Sequence, residues 1–414
     1  METEGFSDTS EIDSLSVNSA SSSSKARKFQ IFISTGEVSG DLQGAMLIEA
    51  LLSQAERLNC ELEIVGLGGD RMAQAGAKIL ANTTAIGSVG IIESLQFILP
   101  TLNIQRQAKK YLETHPPDLV ILIDYMEPNL SIGAYLRKSW TQVPIVYYIA
   151  PQEWVASVSL KNTQRIVKSC DLLLAIFPEE ARYYQYHQAN VDWIGHPLLD
   201  RISHFPTRQA ARASLGIGDG ETAIALLPVS RPQELKYLLP VIFQAAAQIQ
   251  SQIPHVRYWI PLSLEAYRQT IEEAIARYKL NATLVSDRTP EVLAAADLAI
   301  TKSGTVNLEL ALLNVPQVVI YRVNPITFWL GMNILRLKIP FMSPVNLVLM
   351  RSIVPELMQD LASAENIFNE AIPLIQNPEK RQQISQDYQE MRAKIGELGV
   401  CDRAAQKIIN LLLL

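Results

Sequence analysis

Past Lys28 the chain alternates between short apolar runs and longer stretches with apolar residues at helical spacing. "FQIFIST" gives way to a helical pattern from Leu42, and "LEIVGLGG" to "DRMAQAG". "DLVILIDY", "PIVYYIAP", "DLLLAIF" and "VDWIGHP" follow, most of them separated by helical segments. Such runs are apolar throughout rather than alternating, which predicts parallel strands covered on both faces. The stretch "HPLLDRISHFPTRQAARASLGIGDGE" breaks the rhythm with polar residues, prolines and glycines. It then restarts with "AIALLP", "VRYWIPL", "DLAITKS" and "PQVVIYR". The pattern predicts two doubly wound α/β units, residues 28–200 and 201–377, followed by helices over 378–414 that can pack back on the first unit. Carboxyl ends of two such sheets, joined by one linker, face each other across a cleft, and ligands belong there.

The first 27 residues fall outside this rhythm. They are rich in Ser, carry several acids and lack an apolar core, so they read as a disordered tail rather than a secretory or plastid address. No apolar run reaches the ~20 residues of a membrane span. A net charge of −6 over 414 residues gives no basic field for nucleic acid. Cys60, Cys170 and Cys401 are far apart and the histidines scattered, so neither a zinc site nor another metal or cofactor is expected.

Six stretches carry chemistry. In "GEVSGD" the strand-to-helix turn holds Glu37, Ser39, Gly40 and Asp41 with no Lys or Arg. Helix capping by Ser39 and Asp41 explains it locally; the functional reading is a floor whose acids accept bonds from sugar hydroxyls and repel phosphate. In "VILIDYMEPN", Asp124 directly follows an apolar strand, with Glu127 and Asn129 in the loop. A carboxylate there is either a helix cap or a general base, its pKa raised by its apolar surroundings. "LLPVSRPQEL" puts Ser230 and Arg231 at a helix start suited to a diphosphate. "AITKSGTVNLELALL" places Ser303, Gly304 and Thr305 at a second such start, with Glu309 one turn on. Hydroxyls and backbone NH groups suit phosphate there, and Glu309 suits the two hydroxyls of a ribose; the plain alternative is a capping box. Finally, His196 in "WIGHPLLD" closes the first unit, and Trp154 in "APQEW" lies beyond a strand end.

Taken in order, "GEVSGD", "GLGGDRM", "IGSVGIIESL", "APQEW", "GHPLLD", "LLPVSRPQE", "KSGTVNLELALL", "YRVNPITFWL" and "SPVNLV" resemble the lipid-A-disaccharide synthases, family 19 glycosyltransferases of the GT-B fold, from about residue 29 to 410. The resemblance implies an inverting transfer from UDP-2,3-diacylglucosamine to 2,3-diacylglucosamine 1-phosphate at the cytoplasmic face of the inner membrane. It implies Asp124 as base; Ser230, Arg231, Ser303, Gly304, Thr305, Glu309 and Asn346 around the nucleotide; and Glu37, Ser39, Gly40, Asp41, Trp154 and His196 along the sugar cleft. Partners would be the two sugar substrates and a membrane surface, without nucleic acid; a homodimer is compatible with it. Around "GIIESLQFILPTLNIQRQAKKYL" the residues Leu95, Phe97, Ile98 and Leu99 with Arg106, Lys109 and Lys110 fit a lipid-facing segment, or else an ordinary core helix. The chain departs from the family at Val229, Ala156, Ser157 and "DYMEPN". Those departures leave open another UDP-sugar enzyme, a UDP-N-acetylglucosamine 2-epimerase-like isomerase or a non-catalytic sugar-lipid binder.

Overall fold

The computed structural model describes residues 27–84, 97–155, 160–229, 232–330, 333 and 339–413. The N-terminal tail, Leu95, Ala156, Ser157, Ser230 and Arg231 therefore lie outside the described residues. The first sheet has seven parallel strands: β1 (Arg27–Ser34), β2 (Cys60–Gly68), β3 (Lys78–Asn82), β4 (Leu119–Ile123), β5 (Ile145–Tyr148), β6 (Leu172–Ala175) and β7 (Val191–Trp193). The second has six: β8 (Thr222–Leu227), β9 (Val256–Pro261), β10 (Ala282–Val285), β11 (Leu298–Lys302), β12 (Gln317–Tyr321) and β13 (Glu356–Met358).

Their orders are β3-β2-β1-β4-β5-β6-β7 and β10-β9-β8-β11-β12-β13. Both are the doubly wound arrangement, in which the chain reverses direction beside the first strand of each sheet. The crevices therefore open between β1 and β4 and between β8 and β11. The four strand-to-helix turns singled out from sequence are the four that flank these two crevices.

The central strands explain themselves by burial. All five residues of β4 and all four of β5 and β6 are buried, because helices cover both sheet faces.

The C-terminal helices, grouped as one segment from sequence, divide between the lobes. Pro378–Lys394 stays on the second, where the Tyr388 hydroxyl donates to Val315 O (3.2 Å). Val400–Leu412 crosses to pack on the first helix, Glu37–Arg57. Two chain segments touch at this crossover: Gly195 (φ +89°) faces Gly396 (φ +101°), and a Cβ on Gly396 would lie 3.0 Å from Gly195 Cα. Both positions need positive φ and backbone contact, which glycine alone supplies without strain.

Candidate active site

A cleft of about 540 Å³ opens between the lobes. Ser39, Gly40, Asp124, Ile149, Phe177 and His196 come from the first lobe side, with Thr305, Leu308 and Pro344 opposite. Of the sequence candidates, five thus meet on one cavity: Ser39, Gly40, Asp124, His196 and Thr305.

The first-lobe wall is built from strained turns. Glu37 after β1, Asp124 and Tyr125 after β4, and Ile149 after β5 have φ of 62°, 44°, 46° and 59°. Left-handed conformations in non-glycine residues persist only where surrounding structure imposes them, and they collect at functional sites. Asp124 shows how. Its backbone N–H donates to Ile149 O (2.9 Å), and its carbonyl accepts from Asn129 Nδ2 (2.7 Å) and Tyr147 Oη (2.9 Å). Asn129 also donates to Ile123 O (3.0 Å) and accepts from Ser34 Oγ (2.7 Å). Ser34, Asn129 and Tyr147 are all fully buried. Asp124, exposed and lining the cleft, thus sits on a backbone held on three sides.

Across the β1–β4 crevice, Gly36 caps the first helix without any side-chain hydrogen bond. A Cβ there would stand 2.5 Å from the Tyr125 ring, so the two turns are interlocked. Ser39 is in the helix's first turn, not at its cap, and lines the cleft.

Asp41 corrects the expectation. It is 4% exposed and turned into the lobe, where Oδ1 accepts from Gly69 N (2.7 Å) and Met72 N (3.1 Å) and Oδ2 from Arg71 N (3.1 Å). It caps the short helix Asp70–Gln74, so it faces no sugar. Glu37 stays half-buried beside Tyr125.

Aromatic rings lead inward from His196. Phe177 packs on it with centroids 5.2 Å apart, and Trp154 packs on Phe177 at 5.7 Å. Trp154 is thus a rank behind the cavity wall rather than a lining residue. His196 is 4% exposed, its backbone N–H donates to Ile395 O (2.8 Å), and its Nδ1 accepts from Leu198 N (3.2 Å). The proton therefore sits on Nε2, and burial pushes the imidazole down to about 3, so it is neutral at physiological pH.

Behind this wall, Glu180 was missed from sequence. It is 1% exposed, and its Oε2 accepts from Ile176 N (2.8 Å) and Phe177 N (3.2 Å). Burial, with Asp124 adding repulsion, pushes its carboxyl up to about 8. Two acids beside one cavity thus differ in environment, a pattern found where proton transfer occurs. "FPEE" signals only a helix start, so nothing local marks this role.

On the second lobe the turn after β11 is stapled rather than strained. Gly304 N–H donates to Asn307 Oδ1 (2.8 Å), Asn307 Nδ2 to Lys302 O (3.1 Å), and Ser303 Oγ to Met342 O (2.6 Å). This fixes Thr305 at the start of helix Val306–Leu312.

Glu309 lies one turn on, 5% exposed, with Oε1 2.7 Å from Arg201 Nε. Burial raises its pKa while Arg201 and Arg71 oppose the rise. Arg201 was not a sequence candidate, because its partner is more than a hundred residues away in the chain.

Asn346 is the second correction. Fully buried, it gives Nδ2 to Val354 O (3.0 Å) and Glu356 Oε1 (2.8 Å), and its Oδ1 accepts from Ile353 N (2.8 Å) and Val354 N (3.0 Å). Every polar group of its side chain is engaged in bracing a loop.

A family profile described as lipid-A-disaccharide synthetase matches residues 31–410. A lipid-A-disaccharide synthase of Gloeothece citriformis is 58% identical over 381 residues, covering 92% of this chain and 99% of that protein. One from Synechocystis is 55% identical over 383 residues, covering 92% and 97%. Among solved structures, UDP-GlcNAc 2-epimerase from Neisseria meningitidis bound to UDP-GlcNAc aligns with a TM-score of 0.59 at 15% identity, over 93% of this chain and 99% of that one. That likeness speaks for the two-lobed fold alone.

Proposed function

Because the chain belongs to the lipid-A-disaccharide synthetase family, we propose that it joins two acylated glucosamines by inverting transfer. The donor is UDP-2,3-diacylglucosamine and the acceptor 2,3-diacylglucosamine 1-phosphate. Asp124 removes the proton from the acceptor's 6-hydroxyl as that oxygen attacks the anomeric carbon. The bond from that carbon to the diphosphate breaks on the opposite face, and UDP departs. The helix start at Thr305, with Arg231 beyond the described residues, faces the developing diphosphate charge.

The observation that carries this reading is Asp124, held on a strained strand end and lining the same cavity as Thr305. Fixing base and electrophile in this way converts a bimolecular encounter into a positioned one. Neutral His196 supplies an Nε2–H donor to a sugar oxygen. The epimerase-like alternative keeps only the shared fold in its favour.

Asp124→Asn tests the assignment. Removing a general base lowers kcat by about 10²–10⁴, followed by mass spectrometry of the lipid disaccharide. UDP affinity should stay within about threefold, since the base does not hold the nucleotide. Wild-type turnover in this variant eliminates Asp124 as base.

The substrates' acyl chains point to a bilayer surface. Among the described residues no helix is long and apolar enough to cross a membrane. Helix Ile98–Thr114 leaves Ile98, Leu99 and Leu102 exposed, Leu99 by 77%, with Arg106 and Lys110 exposed further along. Lys109 is diverted, bonding Ser131 Oγ (3.0 Å) and lying over the Tyr135 ring. Apolar tips followed by cations suit peripheral attachment to anionic lipid on the cytoplasmic side of the inner membrane. Leu99→Ser with Leu102→Ser should cut flotation with anionic vesicles severalfold; unchanged flotation would place the contact elsewhere.

A further inference from the structure

The hinge helix Leu198–Ile202 carries an acid and a base side by side, and they face different parts of the molecule. Asp200 accepts from Gly399 N (2.6 Å) and Cys401 N (2.8 Å), capping the last helix. That helix packs on the first helix, whose start borders the cleft. Arg201 instead reaches the second lobe and pairs with Glu309. The hinge helix is thereby anchored to the first lobe through Asp200 while its neighbour grips a carboxylate of the second.

Glu309 follows Leu308 and lies four residues after Thr305, both of which line the cleft. Residues four apart share a helix face, so Glu309 lies one turn along the face that Thr305 begins, 5% exposed. It offers about four acceptor positions, and Arg201 Nε lies 2.7 Å from Oε1. The Arg201 guanidinium also lies 5.3 Å from the Phe205 ring centroid, which limits its rotation. Arg71 adds a second positive charge nearby.

We propose that Arg201 is a positioning residue for the donor, turning the Glu309 carboxylate so that it accepts the 2′- and 3′-hydroxyls of the nucleotide's ribose. This rests on reading Glu309 as the ribose ligand. Ribose selection is then set partly from the first lobe, and the grip on nucleotide depends on how the lobes are aligned. A carboxylate without its cation would either take a proton or swing toward solvent. In both cases it would lose the geometry that two adjacent hydroxyls require.

The test compares binding of UDP and 2′-deoxy-UDP by calorimetry. A hydroxyl bonded to a charged group makes the wild type prefer UDP by about 10- to 100-fold. Glu309→Gln should erase most of that preference. Arg201→Ala should shrink it to about threefold, and Arg201→Lys should restore much of it; Arg201→Gln gives the same reading if the alanine variant fails to fold. Turnover should show a raised donor KM with the acceptor KM unchanged.

If Arg201 variants bind both nucleotides more weakly by one common factor, Arg201 is merely structural and the inference falls while the ribose reading stands. If the wild type itself fails to discriminate, Glu309 is not the ribose ligand and both fall together.

Discussion

The two lobes carry the same strand order and the same crevice, yet they finish their cleft edges by opposite means. Across the first, Glu37, Asp124, Tyr125 and Ile149 are all left-handed, and each costs about 1–3 kcal/mol. In the second, the turn after β11 contains no left-handed non-glycine residue and is held by three side-chain hydrogen bonds. Strain fixes a reacting side chain against rigid neighbours, which suits a base that must meet one proton at one angle. Hydrogen-bonded turns present backbone groups and hydroxyls at low internal cost, which suits a diffuse, multiply charged ligand. The shared topology supplies two equivalent positions, and the turns finish them differently.

Matched substitutions put this division to its largest test. Asn129→Ala strips Ser34, Ile123 and Asp124 of buried partners at once, costing about 2–4 kcal/mol of stability. With Asp124 free to relax, kcat should fall by about 10²-fold. Ser303→Ala removes one bond, to Met342 O. It should cost about 1 kcal/mol and leave kcat within about threefold, raising mainly the donor KM. Urea melts and initial rates on the pair decide the matter. Equal losses of kcat would mean that strain confers nothing catalytic.

Sequence patterning exposed the parts of this picture that are local. Continuous apolar runs marked the strands because both sheet faces are covered, and turn chemistry placed Asp124, Ser39 and Thr305 at the crevices. Where the outcome depended on direction, the same patterns failed. "GEVSGD" contains two acids, and nothing local says that Asp41 turns inward to Gly69 while Glu37 stays beside Tyr125. "SPVNLV" hides an asparagine whose partners sit seven to ten residues on. Arg201 acts through a contact with Glu309 that exists only once the lobes have come together. Long-range pairing of this kind leaves no periodicity to read.

The smallest predicted effect concerns two buried titratable groups of the first lobe, Glu180 and His196, which pull stability in opposite directions with pH. Glu180 titrates near 8 in the fold, against 4.5 in a free side chain. Between those values the folded state keeps a proton that the unfolded state has lost, so stability falls as pH rises. His196 titrates near 3, against 6.5. Between those values the unfolded state holds the extra proton, so stability falls as pH drops. From pH 4.5 to 6.5 the two slopes oppose each other, and above 6.5 Glu180 acts alone of the pair. Urea unfolding at pH 6.5 and pH 8 should therefore show the wild type losing about 1 kcal/mol. Glu180→Gln keeps an acceptor for Ile176 and Phe177 but cannot ionise, so its stability should be level across that interval. A decline of equal size in both proteins would remove Glu180 as the buried acid behind the cleft. The contrast between a strained lobe edge and a hydrogen-bonded one would then rest on Asp124 and its supports alone.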